Sequence, residues 1–358
     1  MGGGAMGGVA VLGTGAWGTT LAILVAREHE RRAQGSHGKQ KPPPKQVCLW
    51  EHQPERAETM ERKRENATYL PGCPFPANLR VTTDLPEAVA DCDLVLLVTP
   101  SQRVREHARA LELLLAPGTV VICCSKGLEL GTKLRMSQVL SEELPKETRI
   151  GALSGPNLAA EVARGLPAAA VVASADRAAA EMARAALNSS RFRVYSADDV
   201  VGVELGGALK NVIAIGIGVS DGLGYGDNAK ASFMTRGLAE IARLALAAGA
   251  NPLTLAGLAG LGDLIATCSS PLSRNRTLGL ELAKGRSLDD VLAERNTVAE
   301  GAPTTRAALE LARDLGVEMP ITEQIFQVLY EGKDVREAVQ SLMLRDPKHE
   351  LEGLGGVP

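Results

Sequence analysis

Residues 202–222 read GVELGGALKNVIAIGIGVSDG, nearly all small or apolar, with Lys210 and Asn211 in the middle and Gly206 and Gly207 one turn earlier. A helix made for stability would exclude that cation, and each interior glycine costs about 1 kcal/mol relative to alanine. A lysine taken out of water loses part of its preference for the charged form and becomes a usable acid or base near neutral pH. A positioned ammonium also stabilises an oxyanion as it forms and can then protonate it. The structural alternative is a buried lysine paired with a carboxylate such as Asp263.

Four other stretches carry polar residues that stability does not require. CSKGLE puts Lys126 just past a predicted strand, at the edge where open α/β sheets bind ligands. LSGPNLAAE puts Gly155 and Asn157 past another such end, and LAGLGDLIATC surrounds Asp263 with small and apolar residues. SPLSRNRTLG offers Ser273, Arg274 and Asn275 at a predicted helix start, a place suited to phosphate. Taken singly, most have an ordinary explanation. A lysine after a strand is usually solvated, and SRN is usually a helix cap with an exposed charge; Asp263 and Lys210 fit such readings least.

Near the N-terminus, VLGTGAWG places Gly13, Gly15 and Gly18 in the G-x-G-x-x-G spacing between a predicted strand and a predicted helix. The first glycine permits the tight turn, the second lets backbone approach a pyrophosphate, and the third allows helix to pack on strand. Glu51 follows the next strand, where an acid commonly accepts a ribose 2′-hydroxyl and so favours NAD. His52 and Arg56 beside it could instead meet the 2′-phosphate of NADP, and the choice stays open.

The elements that must position these groups divide in two. Residues 9–13, 46–50, 93–99, 119–125, 150–155 and 169–174 are continuous apolar, β-branched runs, as expected of strands covered on both faces of a parallel sheet. Helical patterns separate most of them, which predicts an α/β doubly wound fold over 1–198. From residue 199 the strand signal stops, and helices are expected at 199–218, 228–249, 274–284, 302–315 and 320–331, giving an all-α domain over 199–346 and a tail over 347–358. Residues 29–46 carry five Lys/Arg against one Glu and a triple proline. They read as a basic surface insertion between helix and strand, dispensable for folding, with a flap near the cofactor as the sharper alternative.

Composition bounds the function. At 358 residues with 45% hydrophobic and 23% charged residues, the chain reads as a globular protein of two domains. A net charge of -3 and only 3% aromatics argue against nucleic acid as a partner. No run reads as apolar enough to span a membrane. The six cysteines show no metal spacing and read as reduced core residues, so a cytoplasmic location is expected, with a plastid or other organelle after transit-peptide removal as the alternative. The N-terminus does not read as a secretion signal.

Together, GVELGGALKNVIAIGIGVSDGLGYGDNAK, MTRGLAEIARL, GLAGLGDLIATCSSPLSRNR, VAEG and MPITEQIFQVLYEG resemble the NAD(P)-dependent glycerol-3-phosphate dehydrogenases of the bacterial and organellar type, from Val9 to about Glu352. The departures are Ala16 in place of Ser, Asn157 in place of Ser or Thr, and the 29–46 insertion. The resemblance implies reversible reduction of dihydroxyacetone phosphate to sn-glycerol 3-phosphate by NADH or NADPH, feeding glycerophospholipid or glycerol synthesis, in a homodimer. It implies that Lys210 moves the proton, with Lys126 and Asp263 beside it. It further implies substrate contacts from Lys126, Gly155, Asn157, Asn211, Asp263, Thr267, Ser273, Arg274 and Asn275. Cofactor contacts are implied for Gly13, Gly15, Ala16, Trp17, Gly18, Glu51, His52, Ala159, Arg274, Val298 and Glu300. Gly206 and Gly207 are expected to leave room for nicotinamide or substrate. A β-hydroxyacid-type dehydrogenase with a catalytic lysine and a noncatalytic NAD(P)-binding sensor are the alternatives. The first would need no SRN helix start, and the second would not need Lys126, Lys210 and Asp263 together.

Overall fold

The computed structural model describes residues 7–35, 45–294, 299–347 and 349–350. They form two compact units, one made of residues up to 125 with 137–153 and 157–198, the other of 126–136, 154–156 and the chain from 199 onward. The short pieces 126–136 and 154–156 therefore group with the helical unit, although they lie before residue 199.

Unit one is an eight-stranded sheet: β1 (Gly8–Leu12), β2 (Val47–Trp50), β3 (Leu79–Thr82), β4 (Cys92–Leu97), β5 (Val120–Cys123), β6 (Arg149–Ser154), β7 (Ala168–Ala173) and β8 (Phe192–Ala197). The order is β3-β2-β1-β4-β5-β6-β7-β8. Val9 of β1 pairs in parallel with Val47 of β2 and with Leu94 of β4. The order therefore reverses between β1 and β4, and in doubly wound sheets ligands bind beyond the strand ends at such a point. Val9, Val11, Leu94, Leu96, Val120 and Ile122 form the inner part of its core.

The strands missing from the sequence reading, β3 and β8, are the two edges. Arg80 in β3 and Arg193 and Tyr195 in β8 are exposed, so neither strand shows the continuous apolarity that marks the interior ones. Edge charges of this kind also discourage pairing with another chain.

Helices α1 (Ala16–Gly35), α2 (Pro54–Lys63), α3 (Leu85–Val89), α4 (Val104–Leu111), α5 (Met136–Glu143), α6 (Ala159–Ala163) and α7 (Arg177–Leu187) connect the strands. The length of α1 corrects the insertion: residues 29–35 are helical, not a solvated loop. Glu28 and His29 are buried. Arg31 and Arg32 bond the Glu28 carboxylate at 2.7–2.8 Å, and His29 Nδ1 meets the Lys45 carbonyl at 3.2 Å. Of the predicted insertion, residues 29–35 thus continue α1, with His29 buried; residues 36–44 lie outside the described residues.

Unit two holds α8 (Val200–Gly222), α9 (Asp227–Ala247), α10 (Pro252–Leu255), α11 (Asp263–Ser269), α12 (Arg274–Ala283), α13 (Leu288–Ala293), α14 (Gly301–Asp314), α15 (Pro320–Tyr330) and α16 (Val335–Met343). Asp199 starts α8, its carboxylate accepting from Gly202 N at 2.9 Å. From Leu205 to Ser220 every residue of α8 is buried, because α9, α11, α12 and α14 pack around it. This corrects the expectation about apolar runs. Val200–Gly222 and Pro252–Ser269 are both long and apolar enough to cross a bilayer by length and composition. For α8 the cause is burial, since 89% of the apolar window lies inside the protein and a helix covered all round is apolar all round.

Candidate active site

Lys210 lies at the centre of α8 and is 7% exposed. Such a cation persists only if paired. Its partner arrives 53 residues later in the chain: Lys210 Nζ donates to Asp263 Oδ1 at 2.5 Å and also to the Thr267 hydroxyl. Asp263 and Thr267 lie one turn apart on α11, so both face α8.

A π-helical turn, Leu258–Gly262, leads directly into Asp263. Such turns shift the helical register and recur at functional sites. Gly206 on α8 lets it approach, since a Cβ there would stand 2.8 Å from the Ala259 carbonyl. A Cβ on Gly207 would collide with the Ser154 hydroxyl. The room expected for a ligand beside these glycines is thus taken by protein: they are close-packing positions.

A second cation meets the same carboxylate. Lys126 Nζ donates to Asp263 Oδ2 at 2.6 Å and to the Gly155 carbonyl at 3.0 Å. Gly155 has φ +131, a conformation favouring glycine, and this turns its carbonyl into the cluster. Leu128, buried in the helical core, and the Arg135–Glu204 ion pair anchor the segment that carries Lys126.

Asn211 Nδ2 donates to the Lys126 carbonyl at 3.4 Å and its Oδ1 accepts from Asn275 at 2.9 Å. Asn275 Oδ1 in turn accepts from Gly301 N at 2.9 Å. The predicted residues Lys126, Gly155, Lys210, Asn211, Asp263, Thr267 and Asn275 thus share one network.

Two ammonium groups on one carboxylate leave a net positive charge in a mostly buried cluster. Burial pushes Lys210 down to about 8; Asp263 works against that shift and Lys126 adds to it. Burial also opposes ionisation of Asp263, but Lys126 and Lys210 outweigh it and hold its carboxyl below the ordinary value. The result is a cation ready to give up a proton beside a carboxylate that stays charged.

Ser273 caps α12, its hydroxyl accepting from Arg276 N at 3.3 Å, and Arg274 is exposed in the first turn. Glu300, half-buried, precedes α14. Val298 lies outside the described residues. Ser154 was not singled out from sequence, yet its hydroxyl lies 3.5 Å from Asp263 Oδ2. Its place immediately before Gly155 at a strand end was the available signal.

In unit one the glycine turn has the form a dinucleotide needs. Gly13 has φ +116, and a Cβ on Gly18 would overlap the Gly13 carbonyl. A Cβ on Gly15 would meet nothing within 4 Å, so the middle glycine leaves backbone open to a phosphate. Ala16 begins α1. Trp17 packs edge-on against Phe192 at 6.2 Å, and the Ala159 carbonyl accepts from Thr20 at 3.1 Å. Trp17 Nε1 and both amide atoms of Asn157 are buried without a partner among the described residues, polar capacity that a bound group can satisfy.

Glu51, at the end of β2, is held by several partners. It is 1% exposed, and its carboxylate is engaged by the Thr14 hydroxyl, Gln53 N at 2.9 Å, His52 at 3.0 Å and Arg56 at 3.4 Å. Through Thr14 it braces the glycine turn. Arg56 lies over the Tyr69 ring at 5.2 Å.

A parallel sheet with this glycine turn and a helical unit with a buried ammonium–carboxylate–ammonium cluster define a nicotinamide-dependent dehydrogenase of the Rossmann-plus-helical class. Residues 8–180 match the model of the N-terminal half of NAD-dependent glycerol-3-phosphate dehydrogenase, and 199–340 that of its C-terminal half. The chain belongs to this family. It is 51% identical over 344 residues to a glycerol-3-phosphate dehydrogenase (NAD(P)+) of Moorella thermoacetica, covering 96% of this chain and 98% of that one. It is 46% identical over 346 residues to that of Chlorobium luteolum, covering 96% and 99%. The crystal structure of the Coxiella burnetii glycerol-3-phosphate dehydrogenase, 36% identical, superposes with a TM-score of 0.87 over 95% of this chain and 99% of that one.

Proposed function

We propose that this chain reversibly reduces dihydroxyacetone phosphate to sn-glycerol 3-phosphate, with Lys210 as the proton donor and acceptor. The observation that carries this reading is the Lys126–Asp263–Lys210 cluster, with the start of α12 joined to it through Asn275 and Asn211. The nicotinamide, when bound, supplies the hydride to the carbonyl carbon. As the carbonyl oxygen gains negative charge, the net positive cluster stabilises it and Lys210 Nζ passes it a proton. In the reverse direction neutral Lys210 removes the hydroxyl proton. Asp263 holds both lysines, and Lys126 adds the second positive charge. The first turn of α12 and Arg274 take the phosphate.

Gly13, Gly15 and Gly18 hold the pyrophosphate in this reading, with Ala16, Trp17 and Ala159 around the dinucleotide. His52 and Arg56 face the ribose edge and accept NAD or NADP. Homodimeric assembly and a cytoplasmic location belong to the same reading.

The test is consumption of NADH or NADPH on adding dihydroxyacetone phosphate. Arg274→Ala should lower kcat/KM for that ketone by roughly 3 kcal/mol or more, because a charge-assisted pair to the phosphate is lost and its partner is left unmet. Unchanged kinetics in Arg274→Ala remove Arg274 from the phosphate site.

A further inference from the structure

The start of α12 is held to α8 at two places. One is the Asn275–Asn211 bond, beside Lys210. The other is about three turns further along α8, at Asp221. The Asp221 side chain is 8% exposed, and its Oδ2 takes both Nε and Nη2 of Arg276, at 2.7 and 2.5 Å. Lys230 of α9 reaches the other oxygen at 2.7 Å.

The backbones beneath this fork are in direct contact. A Cβ on Gly218 would overlap the Arg276 carbonyl, and one on Gly279 would overlap the Ile215 carbonyl. Arg276 thus meets α8 through both its backbone carbonyl, at Gly218, and its side chain, at Asp221. Arg276 N also donates to the Ser273 cap at 3.3 Å, in the turn that carries Arg274.

We propose that Asp221 is a positioning residue for the substrate phosphate: gripping Arg276 and Lys230, it sets the place of Ser273, Arg274 and the α12 N-terminus relative to Lys210. The inference rests on the phosphate reading of α12. A planar fork on a carboxylate fixes direction as well as distance, which apolar packing does not. Asp221 engages the side chain of Arg276 together with Lys230, whereas Arg274 is exposed in the first turn. Displacement of a substrate-positioning group by about 1 Å can cost as much as 100-fold in rate, so the hold matters even though Asp221 touches no substrate.

Asp221→Asn keeps the shape and removes the charge. Steady-state kinetics are measured with dihydroxyacetone phosphate and with dihydroxyacetone, which has the same carbonyl and no phosphate. The variant should raise KM for the phosphorylated ketone about tenfold with little change in kcat, and leave kcat/KM for dihydroxyacetone unaltered. Arg276→Gln should reproduce the pattern, and it carries the same comparison if Asp221→Asn does not fold. Equal losses with both ketones, or an unchanged KM for dihydroxyacetone phosphate in a folded variant, overturn the proposal. Arg274→Ala separates the two levels. If it too spares the preference for the phosphorylated ketone, the phosphate reading itself fails. If it abolishes that preference and Asp221→Asn does not, only the positioning role fails.

Discussion

Lys210→Met is expected to lower turnover by about two to four orders of magnitude while the protein still folds and binds NAD(H), the loss typical of a positioned acid–base group. Methionine keeps the apolar stem among the buried residues of α8. The carboxylate it deserts is not orphaned, because Asp263 retains Lys126 at 2.6 Å and the Thr267 hydroxyl at 3.3 Å. Replacing a buried charge by an apolar group of similar volume is then close to neutral for stability. Lys210→Arg should not restore turnover, since guanidinium is bulkier and holds its proton too firmly.

The parent should also show the ionisation. With Lys210 at about 8, ketone reduction, which needs the ammonium, should fall as pH rises through that value, and alcohol oxidation should rise. Stability has the matching sign. Between about 8 and the ordinary lysine value of 10.5 the unfolded chain binds more protons at this site, so stability gains with pH there, and Lys210→Met loses that gain. Denaturant midpoint and turnover measured on one preparation decide the role. An active, strongly destabilised variant would make Lys210 a structural partner only.

Asp263→Ala should be the most damaging change to both fold and activity. It leaves Lys210 and Lys126 facing each other without a counter-charge in a buried cluster. Breaking a buried pair in this way costs about 3–5 kcal/mol, measurable by chemical denaturation. Asp263→Asn retains the shape and isolates the electrostatic part. Asp263 works against the burial that lowers Lys210, so without its charge the lysine should titrate at still lower pH. The pH at which reduction fails should move down with it. An unchanged pH profile in Asp263→Asn would detach Asp263 from the proton-transfer step.

Much of this site was legible because its residues violate local rules. A lysine in an apolar helix, an aspartate among small residues and a glycine turn between strand and helix each stand out against their own neighbours. The interior strands showed for the same reason, being apolar on both faces, whereas β3 and β8 carry Arg80, Arg193 and Tyr195 on their open sides and read as ordinary polar segments. Gly206 and Gly207 stand out as well, but a sequence does not say what approaches a glycine, and here it is protein. That Glu51 follows β2 is legible, whereas its bond to Thr14, 37 residues away, is not.

The interior strands, the long helices, the catalytic candidates and the family were all readable from sequence, because propensity, periodicity and motif spacing are properties of neighbouring residues. Tertiary structure alone decided which groups meet. It grouped Lys126 and Gly155 with the helical unit, and it put two lysines on one carboxylate. It also made Asn275 a bridge between Asn211 and Gly301. Those contacts join residues up to 137 positions apart. They follow from helices crossing at glycines and from buried charges seeking partners, conditions that exist only once the chain has packed.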